Sequence, residues 1–209
     1  MHIFQVKFVH NVSANVAVDI WVNDKPLLTN VHYKAISGYY KLEAGTYNVK
    51  VYPSGSNNKP LLNYNIEFES HNSYTVIVSG DSSNLSKTLQ ILLFLDTDTA
   101  ETKNKALVRF IHAAAETNVP VDIYSGIGKI FSNVKYTVGS DYIEVPADTD
   151  LMINVTPANS PDVVLTVPNL RLGGGHSYTI IASGKLGSSE FPLTALLSTE
   201  STSMCTHYI

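Results

Sequence analysis

Apolar and polar positions alternate with a period of two along nearly the whole chain. Tyr47, Val49 and Val51 alternate with Asn48, Lys50 and Tyr52, and Ile66 and Phe68 alternate with Asn65 and Glu67. Successive side chains on opposite faces are the mark of a β-strand, whereas a helix would repeat every three to four residues. Turn-forming residues interrupt the alternation roughly every eight to twelve residues: Asn23-Asp24, Ala44-Gly45, Ser54-Gly55 through Asn58, Ser70-His71-Asn72, and Gly173-Gly174-Gly175. No stretch combines helical spacing with caps. About seven short strands per hundred residues, spaced in this way, predict an all-β, immunoglobulin-like sandwich.

The pattern is written twice, at a separation of roughly a hundred residues, which is the size of a whole domain and too long for a solenoid period. Val6-Lys7-Phe8-Val9-His10 matches Val108-Arg109-Phe110-Ile111-His112, and Val16-Ala17-Val18-Asp19-Ile20-Trp21 matches Val119-Pro120-Val121-Asp122-Ile123-Tyr124. Asn30-Val31-His32-Tyr33 meets Asn133-Val134-Lys135-Tyr136, Ser37-Gly38-Tyr39 meets Ser140-Asp141-Tyr142, and Ser73-Tyr74-Thr75-Val76 meets Ser177-Tyr178-Thr179-Ile180. Each copy reaches a Ser-Gly, at Ser79-Gly80 and Ser183-Gly184, before its last apolar run. The fold class expected is therefore two tandem immunoglobulin-like β-sandwich domains from an internal duplication. The polar run from Asp96 to Lys105 marks the boundary, so the domains are placed at residues 1–97 and 105–198, with a linker at 98–104 and a patternless surface tail at 199–209.

The order of these marks resembles the DUF4397 domain in tandem. The marks are a strand ending in His, a loop, Val-Asp-Ile-aromatic, Ser-x-Tyr, an Ala-Gly turn, Tyr-x-Val-x-Val, and Ser-Tyr-Thr-Val or Ile running to a Gly. Asp148 of the second copy stands where the turn of the first has Gly45. The resemblance implies an Ig-like module of exported or surface proteins of bacteria, with no established activity.

Composition narrows the class of function. Charged residues are only 15% of the chain, below the roughly 25% usual for soluble proteins, and the net charge is −4. A chain with that balance generates no field that gathers phosphate backbones, so nucleic acid is not an expected partner. With one cysteine, Cys205, no disulfide can form within the chain, and the fold is expected to rest on burial and hydrogen bonding. The N-terminus passes straight into alternation without the basic and apolar segments of a secretory signal, and the longest apolar run, Ile91 to Leu95, is far short of a bilayer span. Neither signal-directed export nor membrane insertion is expected. Lysines outnumber arginines twelve to two, which reflects AT-rich coding.

Catalytic and metal-binding chemistry finds no support in the motifs. His10 with Asp19, and His112 with Asp122, would form half of a hydrolytic triad. Alternation opposes this: His10 shares a face with Val6 and Phe8, while Asp19 lies opposite to Val18 and Ile20. A strand-end histidine satisfied by backbone is the preferred reading. Gly126-Ile127-Gly128-Lys129 lacks the flanking glycine and hydroxyl of a phosphate cradle. Cys205-Thr206-His207 sits on a tail with nothing to fix its geometry. Asp96, Asp98 and Glu101 match no EF-hand spacing and are followed by Lys103 and Lys105, so a solvated linker is preferred to a calcium site. The seven histidines are scattered, and no zinc ligand set emerges. The sequons at Asn11, Asn84 and Asn154 are no more than chance supplies. No enzymatic activity, metal or cofactor is expected.

The surface carries the functional expectation. If Val6, Phe8, His10, Val16, Val18 and Ile20 face inward, alternation turns Val9 and Trp21 outward, and Ile111 and Tyr124 in the second copy. An apolar stripe of these four residues is a candidate contact surface, with cross-strand pairing as its alternative. Tyr40 and Tyr52 are assigned to the outer face, where they serve as amphipathic strand residues or as a sugar-stacking platform. The sequence thus points to a non-enzymatic structural or interaction protein that works through its sandwich surfaces. Protein partners or self-assembly fit it, in a virion or a cell envelope, and a carbohydrate- or ligand-binding adhesin module is the rival. A hydrolase with an undeclared site comes last.

Overall fold

The computed structural model describes residues 2–97, 102–115, 119–200 and 207–208. The chain divides into two compact units, one of Met1–Asp96 with Thr202–Ile209 and one of Thr97–Ser201. Each is a β-sandwich, so the protein consists of two tandem immunoglobulin-like β-sandwiches from an internal duplication.

The first unit runs β1 (Ile3–Ser13), β2 (Val18–Val22), β3 (Lys25–Val31), β4 (Tyr40–Glu43), β5 (Gly45–Pro53), β6 (Leu62–Phe68), β7 (Ser73–Asp81) and β8 (Gln90–Asp96). A 3-10 turn at Ser82–Asn84 leads into the short helix α1 (Leu85–Thr88) between the last two strands. One sheet has the order β4-β1-β7-β8 and the other β3-β2-β5-β6. The second unit repeats this with β9 (Lys105–His112), β10 (Val121–Ser125), β11 (Gly128–Val134), β12 (Ile143–Pro146), β13 (Asp150–Pro157), β14 (Leu165–Arg171), β15 (Ser177–Ser183) and β16 (Thr194–Thr199). Its sheets are β12-β9-β15-β16 and β11-β10-β13-β14, the same order strand for strand. The constant-type immunoglobulin order keeps the first two strands in one sheet; here β1 and β2 lie in opposite sheets.

Four residues of the span 199–209, expected as a patternless tail, are described, and all four are placed by the fold. Thr199 closes β16, Glu200 is buried, and β17 (His207–Tyr208) pairs in parallel with Tyr40 and Lys41 of β4.

Each unit buries one apolar cluster between its sheets. In the first, Phe4, Val6, Phe8, Val18, Ile20, Val49, Val51, Val76 and Val78 interdigitate, and Phe4 stacks on Phe68 with ring centroids 4.4 Å apart. Complete burial of side chains of this size stabilises by about 1.5–3 kcal/mol each, enough to set the register of every strand.

The pairing of β1 with β7 is parallel, Val9 beside Ile77, as is that of β9 with β15, Ile111 beside Ile181. These central strands are buried on both faces, the usual condition of parallel pairs. This overturns half of the expected stripe. Val9 and Ile111 are fully buried, at 0% exposure, because apolar neighbours on the adjoining strands cover them: Ile36 bridges to Val9, and Ile77 and Leu92 continue the row. Val9 and Trp21 also belong to different sheets, on the two opposite outer faces of the sandwich, so they form no common stripe. The same holds for Ile111 and Tyr124. Val16, expected inward, precedes β2 and is 49% exposed.

Candidate functional site

The repeated Asp is a structural pin. The Asp19 side chain, on the outer face of β2, accepts the backbone N–H of Asn30 through Oδ1 at 2.7 Å and that of Gly55 through Oδ2 at 3.0 Å. Asn30 has a left-handed backbone (φ 55°) at an irregularity in the β2–β3 pairing, where ladder hydrogen bonds lapse and the freed N–H needs another acceptor. Asp122 does the same in the second copy, taking the N–H of Asn133 (φ 54°) at 2.8 Å, and it adds Lys129 Nζ at 2.7 Å. Both carboxyls titrate below the ordinary range. For Asp19, burial is the largest influence and pushes upward, but the N–H groups of Asn30 and Gly55 with the Ser54 hydroxyl outweigh it. For Asp122 the Lys129 ammonium is the main cause.

The repeated His faces the other way. His10 and His112 are 1% and 2% exposed and point to the core side, so neither meets its neighbouring aspartate. Their backbones knit the loop after β3 or β11 to the strand: His10 accepts from Lys34 N and donates to Ala35 O, and His112 likewise with Thr137 and Val138. Burial lowers the pKa of both rings and keeps them neutral. The backbone was expected to satisfy the His10 ring as well. That holds in part: the backbone of His32 and Val31 hydrogen-bonds toward the ring and raises its pKa against the larger pull of burial, although neither contact has the geometry of a full hydrogen bond.

Each histidine lines an apolar pocket at the same end of its sandwich. The first, about 230 Å³, is walled by His10, Val12, Val18, Val51, Val78 and Leu89, and the second, about 150 Å³, by His112, Ala114, Val121, Val155, Ala182 and Leu193. These are equivalent positions in both copies. The mouths carry exposed apolar side chains: Val16 at 49% and Leu61 at 41% in one, Val119 at 51% and Leu186 at 54% in the other.

A second duplicated cluster escaped the sequence reading. On the outer face of the β1–β7 sheet, Tyr39 donates to Asp96 Oδ2 at 2.7 Å, Thr75 Oγ1 donates to both oxygens of Asp96, and Lys7 Nζ lies 4.9 Å from the Tyr39 ring centre. The second unit places Arg109 over Tyr142 at 4.8 Å, with Arg109 Nε donating to Thr179 Oγ1 at 2.8 Å and the Thr179 hydroxyl donating to Glu200. Cation, tyrosine, threonine and acid recur at equivalent positions. Three of the four pairs are already aligned in the sequence; the acid is missed there because Asp96 opens the polar boundary run and Glu200 falls in the tail.

Trp21 and Tyr124, the other two expected contact residues, are half-buried on the outer face of their sheets. Trp21 meets the buried Tyr52 edge-on at 5.4 Å, and Tyr124 lies against Lys129. Tyr40, expected on the outer face, packs on the core instead. Of the linker carboxylates, Asp96 is engaged by Tyr39 and Thr75, while Asp98 and Glu101 lie outside the described residues, as does Cys205. Among the described residues no helix is long and apolar enough to cross a membrane.

Two sandwiches of identical strand order, each with a core-facing His and an outward Asp pin, define a tandem β-sandwich protein. The family model described as "Domain of unknown function (DUF4397)" matches residues 4–120 and 114–204, and the chain belongs to that family. Among solved structures the Bacillus anthracis TIE protein is similar, at 13% identity and a TM-score of 0.26, over 88% of this chain and 34% of that one. The chain thus spans about a third of that protein's length. No curated protein matches it.

Proposed function

We propose that this is a non-enzymatic binding protein whose two sandwiches each engage an apolar group at the pocket end. The observation that carries the reading is the pocket itself, built from equivalent positions in both copies and opening through exposed aliphatic side chains. Apolar side chains left around an opening are the usual mark of a contact surface. A hydrolytic role finds no support in the His and Asp pairs: each His points to the core from one sheet, and its Asp lies on the outer face of the other. A component of a larger assembly, in a virion or a cell envelope, is the setting such modules suit.

The test replaces Val16 and Leu61 with serine in one variant, and Val119 and Leu186 in another. Each should remain folded with an unchanged melting temperature and should lose binding of a fluorescent apolar probe by about half. Unchanged probe binding in both would overturn the reading, and turnover of a generic ester that disappears in His10→Phe would make the protein an enzyme.

Carbohydrate recognition is a second reading, favoured by the outer face of the β2–β5 sheet. There Trp21 lies beside Lys50, and Asn48 Nδ2 bridges Asn63 and Asn65 at 2.7 and 2.8 Å, giving a ring surface next to amide donors and acceptors. Glycan-array binding abolished by Trp21→Ser would support it; binding to no glycan would dismiss it.

A further inference from the structure

We infer that the outer edge of β12 in the second sandwich, with the groove between it and β11, takes an extended peptide strand of another protein whose successive side chains are apolar, basic and apolar. The first sandwich shows the mode: β17 adds to the edge of β4 in parallel, His207 beside Tyr40 and Tyr208 beside Lys41. Strand addition takes its affinity from main-chain hydrogen bonds and its selectivity from what the alternate side chains meet. β12 occupies the place of β4, since Ile143 pairs with Val108 as Tyr40 pairs with Val6. Among the described residues β12 pairs only with β9.

The edge offers one donor and one acceptor at the middle of β12. Leu107, opposite Glu144, donates its N–H to His176 on the far side of β9, so Glu144 has no ladder bond to β9 and turns its own N–H and carbonyl outward. Pro146, next in that alternation, has no N–H, which confines an added strand to the start of β12 and keeps it short, as β17 is. The groove alongside, about 420 Å³, is walled by Ile130, Val134, Val138 and Ile143 with Ser140 and Asp141. An added strand places its residue opposite Ile143 over this groove and its next residue beside Glu144. Val138 is 45% exposed, so an apolar side chain gains burial there. Glu144 and Asp141 are both exposed, and neither makes an ion pair among the described residues. A basic side chain beside Glu144 is favoured and an acidic one repelled. The groove shares no residue with the His112 pocket, so the inference stands apart from the apolar-group reading.

The experiment titrates the full-length protein with synthetic peptides and follows its amide resonances by NMR. The peptides copy Ser201 to Ile209 with Cys205→Ser, and carry Tyr, Lys or Glu at position 208, the place that meets Lys41 in the first sandwich. The Lys peptide should shift the amides of Ile130, Ile143 and Glu144 and bind roughly two- to fivefold more tightly than the Tyr peptide, the worth of one cross-strand charge pair. The Glu peptide should be the weakest. In Glu144→Lys the order of the Lys and Glu peptides should invert. Shifts confined to Tyr40 and Lys41, where the peptides would displace β17, overturn the inference, and so does the absence of any shift on β12. Equal binding of all three at β12, or an order unchanged in Glu144→Lys, overturns the basic partner. Should Glu144→Lys not fold, the Lys peptide methylated on the amide nitrogen of residue 209 decides, because that N–H is the one an added parallel strand donates to the Glu144 carbonyl. Lost binding supports strand addition, and retained binding overturns it.

Discussion

The two sandwiches solve the same local problems with different side chains. On the outer face of the first sheet, one uses Lys7 with Asp96 and the other Arg109 with Glu200, around an unchanged Tyr and Thr. With the shorter acid, both Tyr39 and Thr75 donate directly to Asp96. With the longer one, Thr179 becomes a relay that accepts from Arg109 Nε and donates to Glu200. The aspartate pins differ likewise: Asp122 has a lysine that Asp19 lacks. What the fold fixes at each position is a chemical type and its bonding duty, and residue identity drifts within that limit.

The largest effect should come from breaking the acid of either cluster. Arg109 and Glu200 are both buried, 4.0 Å apart at Nη2 and Oε1, and removing one member of a buried pair typically costs about 3–5 kcal/mol. Glu200→Ala should lose that much in urea unfolding, and Arg109→Met added to it should recover most of the loss. A double variant as unstable as the single would show that the cluster is not held by its charges. Asp96→Ala should cost less than Glu200→Ala, because the lysine it leaves keeps its tyrosine face.

Next come the pins. Asp19→Ala leaves the N–H groups of Asn30 and Gly55 without their acceptor, at about 1–3 kcal/mol each if water does not replace it, and Asp122→Ala should behave alike. Lys129→Met should cost much less than Asp122→Ala, since its side chain is 41% exposed and solvent screens the pair. A large loss on Lys129→Met with a small one on Asp122→Ala would reverse the assignment of the pin. The pins also set a pH response. Both carboxyls titrate below 3.8 when folded, so their stabilisation is complete above that value and is lost as pH falls beneath it. His10 and His112 titrate below 6.5 when folded, so stability should start to fall earlier, on acidification through 6.5. Replacing both histidines by Phe should remove the upper limb of the stability–pH curve and leave the lower one.

Period-two alternation was enough to predict the strands, the duplication and the opposite facing of His10 and Asp19, because all three depend on local geometry alone. Alternation says that two residues lie on different faces; it does not say whether either face is wet. That depends on which strands meet, and β1 meets β7 across most of the unit's length. Val9 and Ile111 were therefore misassigned, while Trp21 and Tyr124 on β2 and β10 kept partial exposure. The repeated Ser-Gly had no explanation until the crossing chain was placed: a Cβ on Gly184 would lie 2.3 Å from the Pro192 carbonyl oxygen, and one on Gly80 3.1 Å from Leu89.

The smallest expected effect concerns the loops that follow β3 and β11 and bond to the histidine backbones. Lys34 and Thr137 occupy the same place, with φ of 72° and 67°, each donating its N–H to the histidine carbonyl. A left-handed backbone costs an ordinary residue roughly 1–2 kcal/mol, and a β-branched residue is the worst suited to it. The hydrogen bond belongs to the backbone, so glycine retains it. Thr137→Gly relieves the strain but loses roughly 0.5–1 kcal/mol to the freer unfolded chain, leaving a net gain of up to about 1 kcal/mol. Lys34→Gly begins with less strain and should come out near zero. Urea midpoints of the two variants test the comparison directly: a gain for Thr137→Gly that exceeds the change for Lys34→Gly confirms that the second copy carries the strain. A loss would mean that the half-buried threonine side chain contributes more through packing than its backbone costs.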